Sequence, residues 1–151
     1  MSGFKDVVGH KDIITYIENA VLSQNVSHAY ILNGDKGSGK KMLANLFAMC
    51  IQCESPEEDG DACGVCHSCK QALSGNNPDI ITVVSEKLGV VGISDIRTKV
   101  VSDVDIRPYS CKHKVYIIPD ADKMTEASGV MLGSREARMG VMWQRRIMRR
   151  A

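Results

Sequence analysis

The sequence predicts an α/β domain built on a parallel β-sheet with helices on both faces. Three observations lead there. Short apolar runs alternate with segments of helical periodicity, a glycine-rich loop joins the first such run to the next helix, and four cysteines gather in one polar insertion. Alternating strands and helices enclose a parallel sheet between helical layers and place ligand sites at the strand C-termini.

Each element has its own signal. In residues 11–23, Ile13, Ile14, Ile17, Ala20, Val21 and Leu22 recur at helical spacing, which predicts the first helix. Ala29–Asn33 (AYILN) is an apolar run that stops at Gly34, a strand feeding a glycine loop. Residues 42–51, rich in Met, Leu, Ala and Phe, return to helical periodicity. Between Cys53 and Cys69 the pattern breaks into an acidic stretch, ESPEEDGD, and then three cysteines, which predicts an inserted loop. Asn76, Asn77 and Pro78 turn the chain into a second strand, IITVV, at 80–84. Ser94 is a candidate N-cap for a helix striped by Ile96, Val100, Val101 and Val104, and Val115–Ile118 reads as a third strand. No strand-like run is expected after Ile118.

At 151 residues the chain is long enough for one domain with a real core. Hydrophobic residues at 44% and charged residues at 25% are ordinary globular values, and 5% aromatics leave the core to aliphatic side chains. With 19 basic and 18 acidic residues, the net charge of +1 gives no argument for a nucleic-acid or membrane surface. The polar N-terminus carries no signal core, and no apolar run approaches the ~20 residues of a membrane span. The expectation is a cytoplasmic protein without a membrane partner. Thiols stay reduced in that compartment, so clustered cysteines read as metal ligands.

Gly34, Asp35, Lys36, Gly37, Ser38, Gly39 and Lys40 fit the first seven positions of the P-loop pattern, after a strand and before a helix as that motif requires. Glycines let backbone N–H groups turn inward around phosphate oxygens, the helix start adds a favourable dipole, and a lysine pairs with the terminal phosphates. The eighth position ordinarily supplies a hydroxyl to Mg²⁺, and here it is Lys41. The competing reading is a strand-to-helix turn with no ligand. Residues 116–122 are the candidate second acidic site, but the strand ends in Pro119 and Asp120 where two acidic residues are the rule. Asp120, the weak candidate for a catalytic carboxylate, and Asp122 either bind a cation or cap the following helix. The residues therefore favour ATP binding over hydrolysis and argue against Mg²⁺.

Cys53, Cys63, Cys66 and Cys69 are spaced C-x9-C-x2-C-x2-C, the four-thiolate set of a closed structural zinc site. Cys50 reads as a packing residue, His67 as a solvated neighbour, and Cys111 as a surface loop cysteine. Six of the eight arginines lie at positions 135–150, a composition shift that reads as a mobile or poorly folded tail, or alternatively as a basic helix for DNA or acidic lipid.

Several segments together resemble the AAA+ clamp-loader subunits of bacterial DNA polymerase III. These are Phe4 to Gly9, His28 to Tyr30, the glycine loop, the cysteine insertion, Ile106 to Pro108, Lys114 to Ile118 and Asp120 to Thr125. The resemblance implies a P-loop NTPase, RecA-like fold across residues 1–125, with the zinc module inserted at 53–69 and an atypical tail at 126–151. It implies that Val7 and Val8 lie near an adenine pocket, while Gly34, Gly37, Ser38, Gly39, Lys40 and Lys41 face the phosphates. Within that family gamma/tau is the ATP-hydrolysing motor, and delta-prime is a rigid partner with degraded nucleotide motifs. Lys41 and Pro119 favour delta-prime. The implied partners are gamma/tau and delta and, indirectly, the sliding clamp and primer-template DNA. Two alternatives compete: an active gamma/tau-like ATPase, and a zinc-ribbon nucleic-acid binder, against which the acidic stretch between Cys53 and Cys63 argues.

Overall fold

The computed structural model of the chain describes residues 3–27, 29–84, 93–104, 106–119 and 140–144. After a 3₁₀ turn at Phe4–Asp6 come helix α1 (Lys11–Leu22), strand β1 (Ala29–Asn33), helix α2 (Lys40–Gln52), helix α3 (His67–Leu73) and strand β2 (Ile80–Thr82). A helical stretch follows, in which α4 (Ile93–Ile96) passes through a π-turn segment (Arg97–Val101) into α5 (Ser102–Val104). Strands β3 (Val115–Ile118) and β4 (Gly140–Gln144) complete the described chain.

The four strands form one parallel sheet in the order β1-β4-β3-β2. All strand C-termini therefore share an edge, and the glycine loop after β1 and Pro119 after β3 lie along it. Every residue of β3 is buried, as expected of an inner strand covered on both sides. Its alternation shows the two faces. Val115 and Ile117 join the core of Leu43, Ala44, Phe47 and Ala48 from α2. Lys114 and Tyr116 point the other way, where the ammonium (2.8 Å) and the hydroxyl (2.9 Å) both donate to the Asp103 carboxylate on α5. Tyr30 stacks edge-on against Phe47 at 4.8 Å, fixing β1 against α2.

The structure departs from the sequence expectations in four elements, the first being α4, which begins at Ile93 and so holds Ser94 within the helix instead of at its N-cap. The loop expected throughout 53–69 turns helical at its end: α3 begins at His67, with the Cys66 sulfur accepting the Cys69 N–H as a cap. Strand β2 stops at Thr82, although Val83 still donates to Ile117 at 2.8 Å and is fully buried. The expectation that no strand follows Ile118 is corrected by β4, whose backbone pairs with both β1 and β3. The run GVMWQ is short and flanked by arginines, so its strand signal is weak. Two parallel partners satisfying its backbone groups outweigh that composition. Asp120, Asp122 and the remainder of the basic tail lie outside the described residues.

Candidate functional site

The glycine loop leaves β1 and turns sharply into α2, with Gly37 and Gly39 at φ of 84° and 83°, a region that side chains with a Cβ enter at a cost. Gly39 is the N-cap of α2, so the first free N–H groups of a 13-residue helix open onto the loop. Lys40 follows directly. Its side chain is buried, and its ammonium donates to the Gly34 carbonyl at 2.8 Å, to the Ser38 hydroxyl at 3.1 Å and to the Asp35 carbonyl. The loop thus wraps one buried cation with its own oxygens, a way to satisfy a charge held away from water.

A cavity of about 570 Å³ opens beside this loop. Ser38 and Lys40 line its polar end, and Tyr16, Tyr30 and Phe47 line its apolar side. Size and lining suit a small organic anion with an apolar portion. His10 and Tyr16 also reach this cavity, and sequence reasoning missed both. His10 is the N-cap of α1, and the Tyr16 ring lies 6.5 Å from that of Tyr30 on β1, a contact between elements that no local pattern announces. Val7 and Val8, expected near a base, do not line it: Val7 packs on the core and Val8 is 97% exposed.

Among the described residues, Asp12 and Asp35 bring carboxylates to the cavity, but the positions after Lys40 and after β3 bring no oxygen ligand for a magnesium ion. The position after Lys40 is Lys41, an exposed cation, the Ser38 hydroxyl already accepts from Lys40, and β3 runs into Pro119, which has no oxygen-bearing side chain. Magnesium takes octahedral oxygen ligands and commonly one or two carboxylates.

The insertion brings the Cys53, Cys63, Cys66 and Cys69 sulfurs within 4.8 Å of one another. Cys53 and Cys63 are 3.5 Å apart and Cys63 and Cys69 4.0 Å, too far for disulfides and close to the ~3.8 Å edge of a tetrahedron with zinc–sulfur bonds of about 2.3 Å. Backbone N–H groups of Cys63, Cys66 and Cys69 each point at the preceding ligand's sulfur at 3.4 Å, as thiolates require. Burial pushes the Cys53 and Cys69 thiols up. Burial also opposes ionisation of Cys63, but the N–H groups of Val65 and Cys66 outweigh it and bring that thiol down to about 7. The arrangement can hold a thiophilic cation with no coordination position left for water.

Cys50 stands apart, buried in α2, where burial raises its pKa and keeps it a packing thiol. His67 is exposed. Cys111 is half-buried rather than a surface cysteine, its sulfur 3.3 Å from the Ser68 hydroxyl.

Comparison with known proteins decides the kinship. The family model described as "DNA polymerase III, delta subunit" matches residues 9–132. The chain belongs to the DNA polymerase III delta subunit family. It is similar to DNA polymerase III subunit tau of Bacillus subtilis, 36% identical over 123 residues, covering 81% of this chain and 21% of that protein. It is 33% identical to subunit gamma/tau of Mycoplasma pneumoniae over 83% of this chain and 18% of the relative. The chain spans about a fifth of the length of these relatives. A crystal structure of a DNA polymerase III gamma subunit-related protein from Thermotoga maritima superposes with a TM-score of 0.58 and 14% identity, covering 88% of this chain and 39% of that one. That likeness establishes a shared fold. The family membership fits a DNA replication protein, and no helix among the described residues is long and apolar enough to cross a membrane.

Proposed function

We propose that this domain is a non-motor, delta-prime-like member of the clamp-loader machinery, one that holds a nucleotide without efficient hydrolysis and carries structural zinc on its four cysteines. One observation carries the reading. A loop shaped like a phosphate cradle, with a buried lysine at its head, lacks the side chains that would fix the metal for phosphoryl transfer. Lys40 and the N–H groups at the start of α2 would hold the phosphates, exchanging loop carbonyls for phosphate oxygens. The zinc would supply a rigid, water-excluding staple at the root of the insertion and no chemistry.

The family supports assembly with other clamp-loader subunits, and gamma/tau and delta are the neighbours we propose. The domain's part in it is that of a scaffold. A second reading, an active ATPase, is favoured by the relatives' own names, tau and gamma/tau. Steady-state ATP turnover by zinc-loaded protein with Mg²⁺ separates the two. The scaffold reading expects no turnover above that of Lys40→Ala. Turnover that needs both Mg²⁺ and Lys40 moves the protein to the motor class.

A further inference from the structure

Asp61 is a buried carboxylate that the functions above do not use. It is 1% exposed and sits in the insertion two residues before Cys63. Most of its donors come from outside the insertion. Oδ1 takes the Phe4 N–H at 3.0 Å, the Ala62 N–H at 2.7 Å and the Cys50 thiol at 3.6 Å, and Oδ2 takes the Lys5 N–H at 3.2 Å. A buried carboxylate needs such donors, and the N-terminal segment provides two of the four. Around it the Lys5 ammonium pairs with Glu57 and, at 3.5 Å, with Asp59. Asp59 accepts the Asp61 N–H at 3.1 Å, and Glu57 donates to the Asp61 carbonyl at 2.9 Å. Space is equally specific. A Cβ on Gly3 would lie 2.5 Å from the Asp61 carboxylate, and Gly60, at φ 90°, would place one 2.7 Å from the Glu18 carbonyl of α1. The segment so held delivers Phe4, 3% exposed, into the same core as Cys53 and Cys69.

We infer that the acidic insertion is a clasp on the N-terminal segment, with Asp61 as its positioning residue, and that the cation on the four cysteines sets the clasp. The inference rests on the zinc reading above. Cys53 and Cys63 bracket the acidic loop, so a cation joining them fixes both ends of the stretch that carries Glu57, Asp59 and Asp61. With the cation in place the loop meets Phe4 and Lys5 with three carboxylates already aligned. Without it, ordering the loop costs conformational entropy that the same hydrogen bonds must offset alone. Coupling of this kind is reciprocal, so the latched segment also tightens cation binding.

Hydrogen exchange of the full chain, with zinc content measured on the same samples, tests the clasp. In zinc-loaded protein the amides of Phe4 and Lys5 exchange slowly. Chelation speeds them by about tenfold, while the amides of β3 keep their protection. Asp61→Asn gives the same acceleration with zinc still bound, because an amide side chain cannot accept from all three N–H groups, and chelation then adds little. Lys5→Glu, on an exposed side chain, gives a smaller acceleration in the same peptide and serves if Asp61→Asn does not fold. Protein that takes up no zinc overturns both the zinc reading and the clasp. Protein that takes up zinc but exchanges Phe4 and Lys5 at one rate with and without it overturns the clasp alone.

Discussion

At the scale of single residues, Asp79, like Asp61, shows how the chain satisfies a buried carboxylate with N–H donors. Asp79 is fully buried and receives the N–H groups of Tyr109 (2.7 Å), Ser110 (2.9 Å) and Cys111 (3.0 Å), which hold the loop leading into β3. Burial opposes its charge, yet these N–H groups outweigh burial and keep its pKa below the ordinary 3.8. A depressed carboxylate pKa stabilises the fold fully above the ordinary value and loses that contribution as pH falls through the lower folded value. Asp79→Asn should cost about 3 kcal/mol at neutral pH, read by urea denaturation, and the gap to the parent should narrow in acid. An equal gap at both pH values would refute the cage. Phe47 on α2, fully buried against Tyr30 of β1, should cost about 3–5 kcal/mol when cut to alanine, by the same measurement. The Asp79 cage was not legible in the sequence, because its donors are backbone groups about thirty residues away, beyond any local pattern. The gathering of the four cysteines was legible, since their spacing foretells sulfurs that the fold brings within 4.8 Å of one another.

At the scale of elements, α3 depends on its surroundings. Seven residues are too few for an isolated helix, and this one starts on a ligand cysteine whose sulfur serves as its cap. Removing the cation should therefore melt α3 and lower the thermal midpoint, seen as lost helical ellipticity that returns on adding zinc. A midpoint indifferent to chelation would exclude a structural metal. The same dependence explains why sequence reasoning took this segment for a loop: its order comes from the cluster, and helical periodicity over so short a run carries little. Strands β1 and β3 and helices α1 and α2 were legible because each combines a sustained apolar pattern with a clear stop. The π-turn segment Arg97–Val101 was not, because a widened turn keeps the apolar stripe that marks an ordinary helix.

At the scale of the molecule, the parallel order β1-β4-β3-β2 sets the glycine loop and the end of β3 along one rim of the sheet. In the proposed function this rim is where a motor would hold its metal, and Lys41 and Pro119, both visible in the sequence, supply no oxygen ligand to it. The place of β4 in the sheet was not, because parallel pairing is decided by partners distant in sequence. On the proposed reading this rim holds a nucleotide without recruiting magnesium for hydrolysis. A calorimetric titration of zinc-loaded protein with ATP, in buffer freed of divalent cations on a chelating resin beforehand and again in Mg²⁺, for the parent and Lys40→Ala, tests this. ATP should bind with the same affinity in both buffers and about tenfold more weakly, or worse, to Lys40→Ala, the loss of one charge-assisted contact. Binding that appears only with Mg²⁺, or affinity unchanged by Lys40→Ala, would contradict it.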